Sequence, residues 1–478
     1  MRMNALREHE PEPGLLVEWH PAARTAEAVA RRGEHPAPPS SFQDNHIRRS
    51  IANDAAGVVH SPWLSTSFDL PGELDPQALA AAWRRWVQRH GTLLTWFEQV
   101  DGQLVRYAIS GEDVEFTPVE VGRRSGAEIR EHLQERFASG ASALRWPGFV
   151  LAAVLRPDKS TVYFAVDHAH TDGYSIFLVF DELRRLYAEE TTGEPADLPE
   201  VGDHADFAAR ERAAEVPAEQ QAAAVEIWRD FWLSGGEKPP SFPLPLGVED
   251  GGFRTKLQME TELFDAKQAT RFQRRCREHG GGIAAGLFAA LAVAATELSG
   301  VDSYRTLTPM QTRDEPRWAA AQGWFINLVP VHFDLTGRET FGEVLTAAEQ
   351  AFERARRIAD VPVVKLMQLL GSKLQLQQDE RTVLPIMSFI DLRRIRGSED
   401  WEAANAQVLS GPGEGFDVPM WINRLRGLTY LRASYPDTPV AAENVARYLE
   451  RVREVLHRIV DDGDHAIRRA PSTAAQPG

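Results

Sequence analysis

Cysteine occurs once in 478 residues, so no disulfide can close within the chain. That residue, Cys276, lies in RFQRRCREHG, among charges and without a His and Asp pattern to activate a thiol. Such usage fits a reducing compartment, and a cytoplasmic location is expected. Basic charge is in deficit as well: 53 Lys and Arg stand against 69 Asp and Glu, a formal charge of −16. No basic block interleaved with aromatics offsets it, which excludes nucleic acid as the main partner. Long apolar runs are missing too. The longest, Ile283 to Thr296, is too short and too alanine-rich to span a bilayer. The opening MRMNALREHEPEPG lacks the apolar stretch of a signal peptide, so the expectation is a soluble monomer with no transmembrane segment.

What is present begins with an apolar fraction of 43%, ample for full cores, in a chain long enough for two or three ordinary domains. The run TVYFAVDHAHTDGYSIFLVFDELRRLY carries the chemistry. Thr161 to Val166 reads as a buried strand and Ile176 to Tyr187, with apolar residues at helical spacing, as a helix packing back on it. Between them, a short turn presents His168, Asp172 and Gly173. Strand-turn-helix junctions are where open sheets hold ligands. Three readings of this junction stand beside one another. The first makes His168 and Asp172 satisfied polar residues at the end of a core strand. In the second, His168, His170 and Asp172 form a metal site as in the HxHxDH run of metallo-β-lactamase-like hydrolases, although Gly173 stands where that family has a further His and no downstream pair completes the set. The third is acyl transfer by a histidine base.

For the third reading the pattern is HxxxDG, and it resembles the signature of condensation domains and the chloramphenicol acetyltransferase-like superfamily. The resemblance continues in order along nearly the whole chain. Phe68 to Phe97 resembles the first strand and helix, ending in Arg89-His90; Ser175 to Tyr187 follows the motif; Gly280 to Gly300 resembles the first helix of the second half. TPMQTRDE and QGWFINLVPVHFDL, then Val361 to Gly371, Pro385 to Ile395 and Leu428 to Val452, fall in the expected sequence. SFIDLRRI and the YPDTP turn are most similar to stand-alone, polyketide-associated acyltransferases. Two positions depart from the pattern. Asp167 stands where the first His of HHxxxDG is usual, and Leu94 stands where an Arg is frequent. GEGFDVP, Gly413 to Pro419, is the nearest feature to a DFGWG run and receives no catalytic role.

The resemblance implies an α/β (α+β) fold of two chloramphenicol acetyltransferase-like lobes in a V-shaped pseudo-dimer, with the active site in a tunnel between them. It implies His168 as general base for direct transfer. The backbone N–H of Gly173 would be an oxyanion donor, and Asp172 would be paired with Arg313 from the second lobe to lock the loop. Asn327, Ser175 and Trp324 would line the substrate tunnel; for Asn327 a strand-end hydrogen bond is an equal alternative. No cofactor is tightly bound. The co-substrate is an acyl-phosphopantetheine thioester on an acyl or peptidyl carrier protein, or on coenzyme A. The acceptor is a small-molecule alcohol or amine in polyketide, nonribosomal peptide, antibiotic or lipid biosynthesis. An acidic carrier protein would need a local basic island, for which Arg393 to Arg396 and Arg424 to Arg432 are candidates beside the commoner explanation of a solvated face. A non-catalytic docking protein of the same fold is the alternative.

Composition sets the expected boundaries. Residues 1–41, with PAPPSS at their end, form an N-terminal extension, 42–240 the first lobe, 241–469 the second and 470–478 a disordered tail. The segments Thr191 to Pro199 and Gly235 to Gly252 are the richest in Gly, Pro and acidic residues. Phe207 to Leu233 is expected as one long helix.

Overall fold

The strand at the centre of the first half is Lys159–Asp167, and every residue from Ser160 to Asp167 is shielded from solvent except at the edge of Thr161. A strand covered on both faces has no solvent side, which is why its sequence runs almost continuously apolar instead of alternating. This computed structural model describes residues 1–249, 252–371 and 386–469. The expected disordered tail lies outside them. The fold is mixed α/β, and contacts divide it into two compact units. One comprises Met1–Glu215, Arg313–Phe325 and Arg394–Gly413, the other Val216–Thr312, Ile326–Arg393 and Glu414–Gly478.

The first unit is built on a seven-stranded sheet in the spatial order Arg2–Ala5, Gln407–Ser410, Trp63–Pro71, Lys159–Asp167, Phe149–Leu155, Gly14–Pro21 and Phe116–Arg124. Residues 1–41 are therefore no extension. Arg2–Ala5 pairs in parallel with Gln407–Ser410, and Gly14–Pro21 is an interior strand paired on both sides. The linear division at residue 240 does not describe the contacts either, because backbone hydrogen bonds bind Gln407–Ser410 to Trp63–Pro71 across more than 300 positions of sequence. The expected helix from Phe207 to Leu233 is two, His204–Ala213 and Ala218–Leu233. Pro217 has no N–H to give to a helical ladder and becomes the cap of the second piece, which belongs to the other unit.

Two helices of the first unit hold the central strand in place. Pro76–Arg89 starts at Asp75, whose side chain accepts from the N–H groups of Gln77 and Ala78, with proline at the first helical position. Ser175–Thr192 buries Ile176, Val179, Phe180, Leu183 and Leu186, spaced to form one stripe, and stops at Gly193 with φ 76°. The two helices pack on each other. Trp86 meets Phe164 of the strand edge to face at 4.8 Å and donates its indole N–H to Glu182 at 3.0 Å.

The second unit has a five-stranded sheet, ordered Met387–Asp391, Met420–Arg424, Leu428–Pro436, Arg254–Asp265 and Glu414–Gly415, and a two-stranded ribbon of Ser303–Gln311 with Ile326–Asp334. Its helix Ile283–Ser299 is buried on nearly every face, which accounts for its Ala and Leu content all round. Pro439–Asp462, capped by Thr438, closes the unit. No single helix among the described residues is long and apolar enough to cross a membrane.

Trp86 is fully buried and joins strand to helix pair, so Trp86→Ala leaves a large cavity and removes one of the donors to Glu182 Oε2, which His90 still holds. The expected loss is about 3–5 kcal/mol of stability, read from the denaturant midpoint.

Candidate active site

The turn after the central strand is fixed by five hydrogen bonds. His168 donates its backbone N–H to Pro62 O at 2.7 Å. Gln43 Nε2, from the helix Ser41–Ala56, donates to Ala169 O at 2.8 Å. Asp167 Oδ1 accepts from Ala169 N at 2.8 Å and from His46 Nε2 at 3.0 Å, and its Oδ2 accepts from Ala143 N at 2.9 Å. Burial pushes the Asp167 carboxyl up, but the His46 imidazole and the Ala169 N–H outweigh it and the net shift is down. Asp167, the residue that departs from the double-His pattern, is thus an ionised anchor with His46 as its partner.

Asp172 closes the other side of the turn. Its Oδ1 accepts from Tyr174 N at 2.9 Å and Ser175 N at 2.6 Å, and its Oδ2 from Phe325 N at 2.9 Å. Arg313 Nη2 lies 3.5 Å from Asp172 Oδ1 and donates to Ser175 Oγ at 2.6 Å. The remaining Arg313 bonds go to the carbonyls of Trp318 and Ala321. Both partners are almost wholly buried. Burial raises the Asp172 carboxyl, and Arg313 with the backbone donors more than reverses it. Arg313 was expected from the second lobe, but the segment Arg313–Phe325 packs within the first unit. The reason is this set of bonds, which ties it to Asp172 and Ser175.

His168 itself is left without such partners. Its Nδ1 is buried with no hydrogen-bond partner among the described residues, and Trp324 lies over the ring with 4.0 Å between centroids and 35° between planes. His46 approaches at 5.9 Å and also meets Trp324 edge to face at 5.3 Å. Burial, with the neighbouring His46 adding to it, lowers the His168 pKa to about 4. The imidazole is neutral at physiological pH. In the same turn, the backbone N–H of Gly173 has no acceptor among the described residues.

The other expected site residues fall elsewhere. Ser175 is fully buried, with its Oγ donating to Gly323 O at 2.8 Å and accepting from Arg313, so it fastens the turn and lines no channel. Asn327, in the second unit, donates to Ala359 O and Val361 O at 2.8 and 2.6 Å and accepts from Val363 N and Leu328 N at 3.1 Å each. Every hydrogen-bonding position of its amide is used, which makes it a strut between strand and loop. His170 turns away to Thr92 Oγ1 at 3.1 Å and to Gly148, and the Asp172 carboxylate is taken by backbone donors. Among the described residues no group of three or more His, Cys, Asp or Glu is arranged to hold a metal ion. Cys276 is buried, and burial pushes its thiol up to about 12. It is inert.

The basic runs proposed as docking islands are largely neutralised. Arg393 pairs with Asp391 at 2.6 Å and Arg396 with Asp181 at 3.3 Å. Arg424 is buried 3.8 Å from Asp391, and Arg432 is buried 4.0 Å from Glu260. Arg89 and His90, the pair ending the Pro76–Arg89 helix, both bond Glu182, at 3.3 and 2.6 Å. His46, Arg49 and the Trp324 contact were not foreseen. The one signal for them was the unexplained Asp167, since a buried carboxylate requires a partner from another element.

His168, His170 and His204 all have pKa values pushed far below the ordinary 6.5 by burial, to about 4, 4 and 3. The unfolded chain therefore binds protons that the folded one refuses as pH drops below 6.5. Stability is expected to fall between pH 6.5 and 4, by at most about 1.4 kcal/mol per pH unit for each histidine, in denaturant titrations at stepped pH.

The condensation domain family model matches residues 59–476. The chain is 29% identical over 487 aligned positions to the 2'-acyl-2-O-sulfo-trehalose (hydroxy)phthioceranyltransferase PapA1 of Mycobacterium bovis (strain BCG / Pasteur 1173P2), covering 100% of this chain and 92% of that protein. It is 29% identical over 478 positions to the trehalose-2-sulfate acyltransferase PapA2 of the same organism, covering 96% and 97%. The solved structure of a PapA2 acyl transferase superposes with a TM-score of 0.87 at 27% identity, over 96% of this chain and 100% of that one. The chain belongs to the condensation domain family and is an acyltransferase, similar to the stand-alone Pap enzymes.

Proposed function

We propose that this enzyme moves an acyl group from a thioester, on carrier-protein phosphopantetheine or coenzyme A, to a hydroxyl of a sugar acceptor, with His168 as general base. The observation that carries the reading is the pairing of a neutral imidazole without a protein partner and a backbone N–H without an acceptor, at His168 and Gly173 of one rigid turn. The activities of PapA1 and PapA2 favour a trehalose-like acceptor and a glycolipid product over a peptide or antibiotic assembly line.

A thioester carbonyl is electrophilic enough that no covalent enzyme intermediate is needed; the enzyme must hold the acceptor close, take its proton and stabilise the oxyanion. With Nδ1 in its buried position carrying the ring proton, the Nε2 lone pair of His168 accepts the acceptor's hydroxyl proton while its oxygen attacks the carbonyl carbon. The carbonyl oxygen becomes an oxyanion and accepts from Gly173 N–H. Collapse breaks the C–S bond, and the leaving thiolate takes the proton back from the imidazolium. Ester and thiol leave, and the histidine is again neutral. Asp172 and Arg313 hold the turn and touch no reacting atom. Trp324, against the imidazole ring, restricts its rotation and forms the apolar wall beside it.

Acyl transfer from medium-chain acyl-coenzyme A and from a loaded carrier protein to trehalose and trehalose 2-sulfate, followed by mass spectrometry, tests this. His168→Ala is expected to lower the rate by about 10²–10⁴ with an unchanged unfolding midpoint. Asp172→Ala is expected to lower both rate and stability, by about 3–5 kcal/mol, because it strands the Arg313 charge and three backbone donors. Undiminished product from His168→Ala removes the general-base assignment.

A further inference from the structure

The helix Ser41–Ala56 turns one face to the candidate active site, and Phe42, His46, Arg49 and Asn53 lie on it at spacings of four, three and four. Phe42 and His46 both meet Trp324, and His46 lies beside His168. One turn further on is Arg49. Its guanidinium is half-buried, and its hydrogen bond is a long one, Nη2 to His46 Nδ1 at 3.4 Å. No carboxylate among the described residues pairs with it, and burial, with nothing opposing it, pushes its pKa down. Other arginines around the turn differ in this. Arg48 pairs with Asp44 at 3.1 Å, Arg313 has Asp172, and Arg106 is surrounded by the oxygens of Ala37, Pro38, Gln43 and Thr95.

A half-buried cation without a counter-ion is costly unless a ligand supplies the charge. Other unsatisfied polar atoms occur on the same helix and on the segment after it. Among the described residues Asn53, 6% exposed, has a buried Oδ1 without a partner, and His60 Nε2 and Ser61 Oγ are likewise buried and unpartnered on the segment that runs into Pro62, whose carbonyl holds the His168 backbone. Arg49 offers a planar fork suited to an oxyanion, and the three other groups suit hydroxyls.

We propose that Arg49 binds an anionic ester group, sulfate or phosphate, on the acceptor, with Asn53 bonding the adjacent hydroxyls, so that the enzyme selects a charged polyol over a neutral one. This rests on the reading that the site acylates a sugar-type acceptor. Recognition of the charge makes Arg49 a specificity residue that acts on acceptor affinity.

Calorimetry of the intact enzyme without donor, using trehalose, trehalose 2-sulfate and trehalose 6-phosphate, separates the parts. At least one of the two charged sugars is expected to bind about tenfold or more tightly than trehalose. Arg49→Gln should abolish the difference, while Arg49→Lys keeps part of it, with both variants unfolding at the wild-type midpoint. In turnover assays Arg49→Gln should raise KM for the charged acceptor about tenfold or more relative to its effect on the KM for trehalose. Equal binding of all three sugars by the wild type overturns the proposal, as does discrimination that survives in Arg49→Gln. Arg49-dependent binding without any acyl transfer leaves the anion site standing and refutes the catalytic reading instead.

Discussion

The carboxylate of Asp172 accepts from the N–H groups of Tyr174, Ser175 and Phe325 while Arg313 stands 3.5 Å away, and the rest of the site depends on this arrangement. Two of those donors open the helix Ser175–Thr192, where backbone N–H groups lack intrahelical acceptors. The third belongs to a segment 153 residues later in sequence. One side chain therefore caps a helix, ends a turn and recruits the strand of chain that carries Trp324. Buried charge of this kind is expensive, and it is tolerated because every oxygen is occupied.

Around that anchor the two acidic residues of the turn perform the same task on opposite sides. Asp167 fastens the start of the turn to His46 and to the backbone of Ala169 and Ala143, and Asp172 fastens its end. Between them, His168 has a buried Nδ1 without a partner among the described residues, whereas His170, whose Nε2 is likewise unpartnered, is held through Nδ1 by Thr92. Rigid backbone with one uncommitted imidazole is what proton transfer requires, since reorganisation during the reaction would cost rate. The low pKa follows from the same burial that makes the turn rigid.

Much of this was legible in the residues. The apolar run into His168, the turn at Gly173 and the stripe of Ile176, Val179, Phe180 and Leu183 specify strand, turn and helix through local periodicity. The order of weaker matches to the condensation-domain pattern identified the family. Less was legible where partners are distant. Pro217 breaks the expected Phe207–Leu233 helix in two, and its missing N–H is a local fact. Ser175 and Asn327 are expected to line a channel, yet Ser175 Oγ is bonded to Gly323 O and the Arg313 side chain, and Asn327 Nδ2 to Ala359 O and Val361 O, partners that sequence spacing does not bring near.

The sequence by itself determined the local elements, the identity of the proposed base and the family, because these reside in periodicity, turn chemistry and short motifs. Only the tertiary structure decided that residues 1–41 supply strands of the first sheet, that Arg313 and Trp324 join the first unit, that Asp167 is paired with His46, and that Arg49 has no carboxylate partner among the described residues. Each of these depends on hydrogen bonds or charge pairing between residues up to several hundred positions apart. Such partners are set by the packing of whole elements, and the local chain carries no record of it.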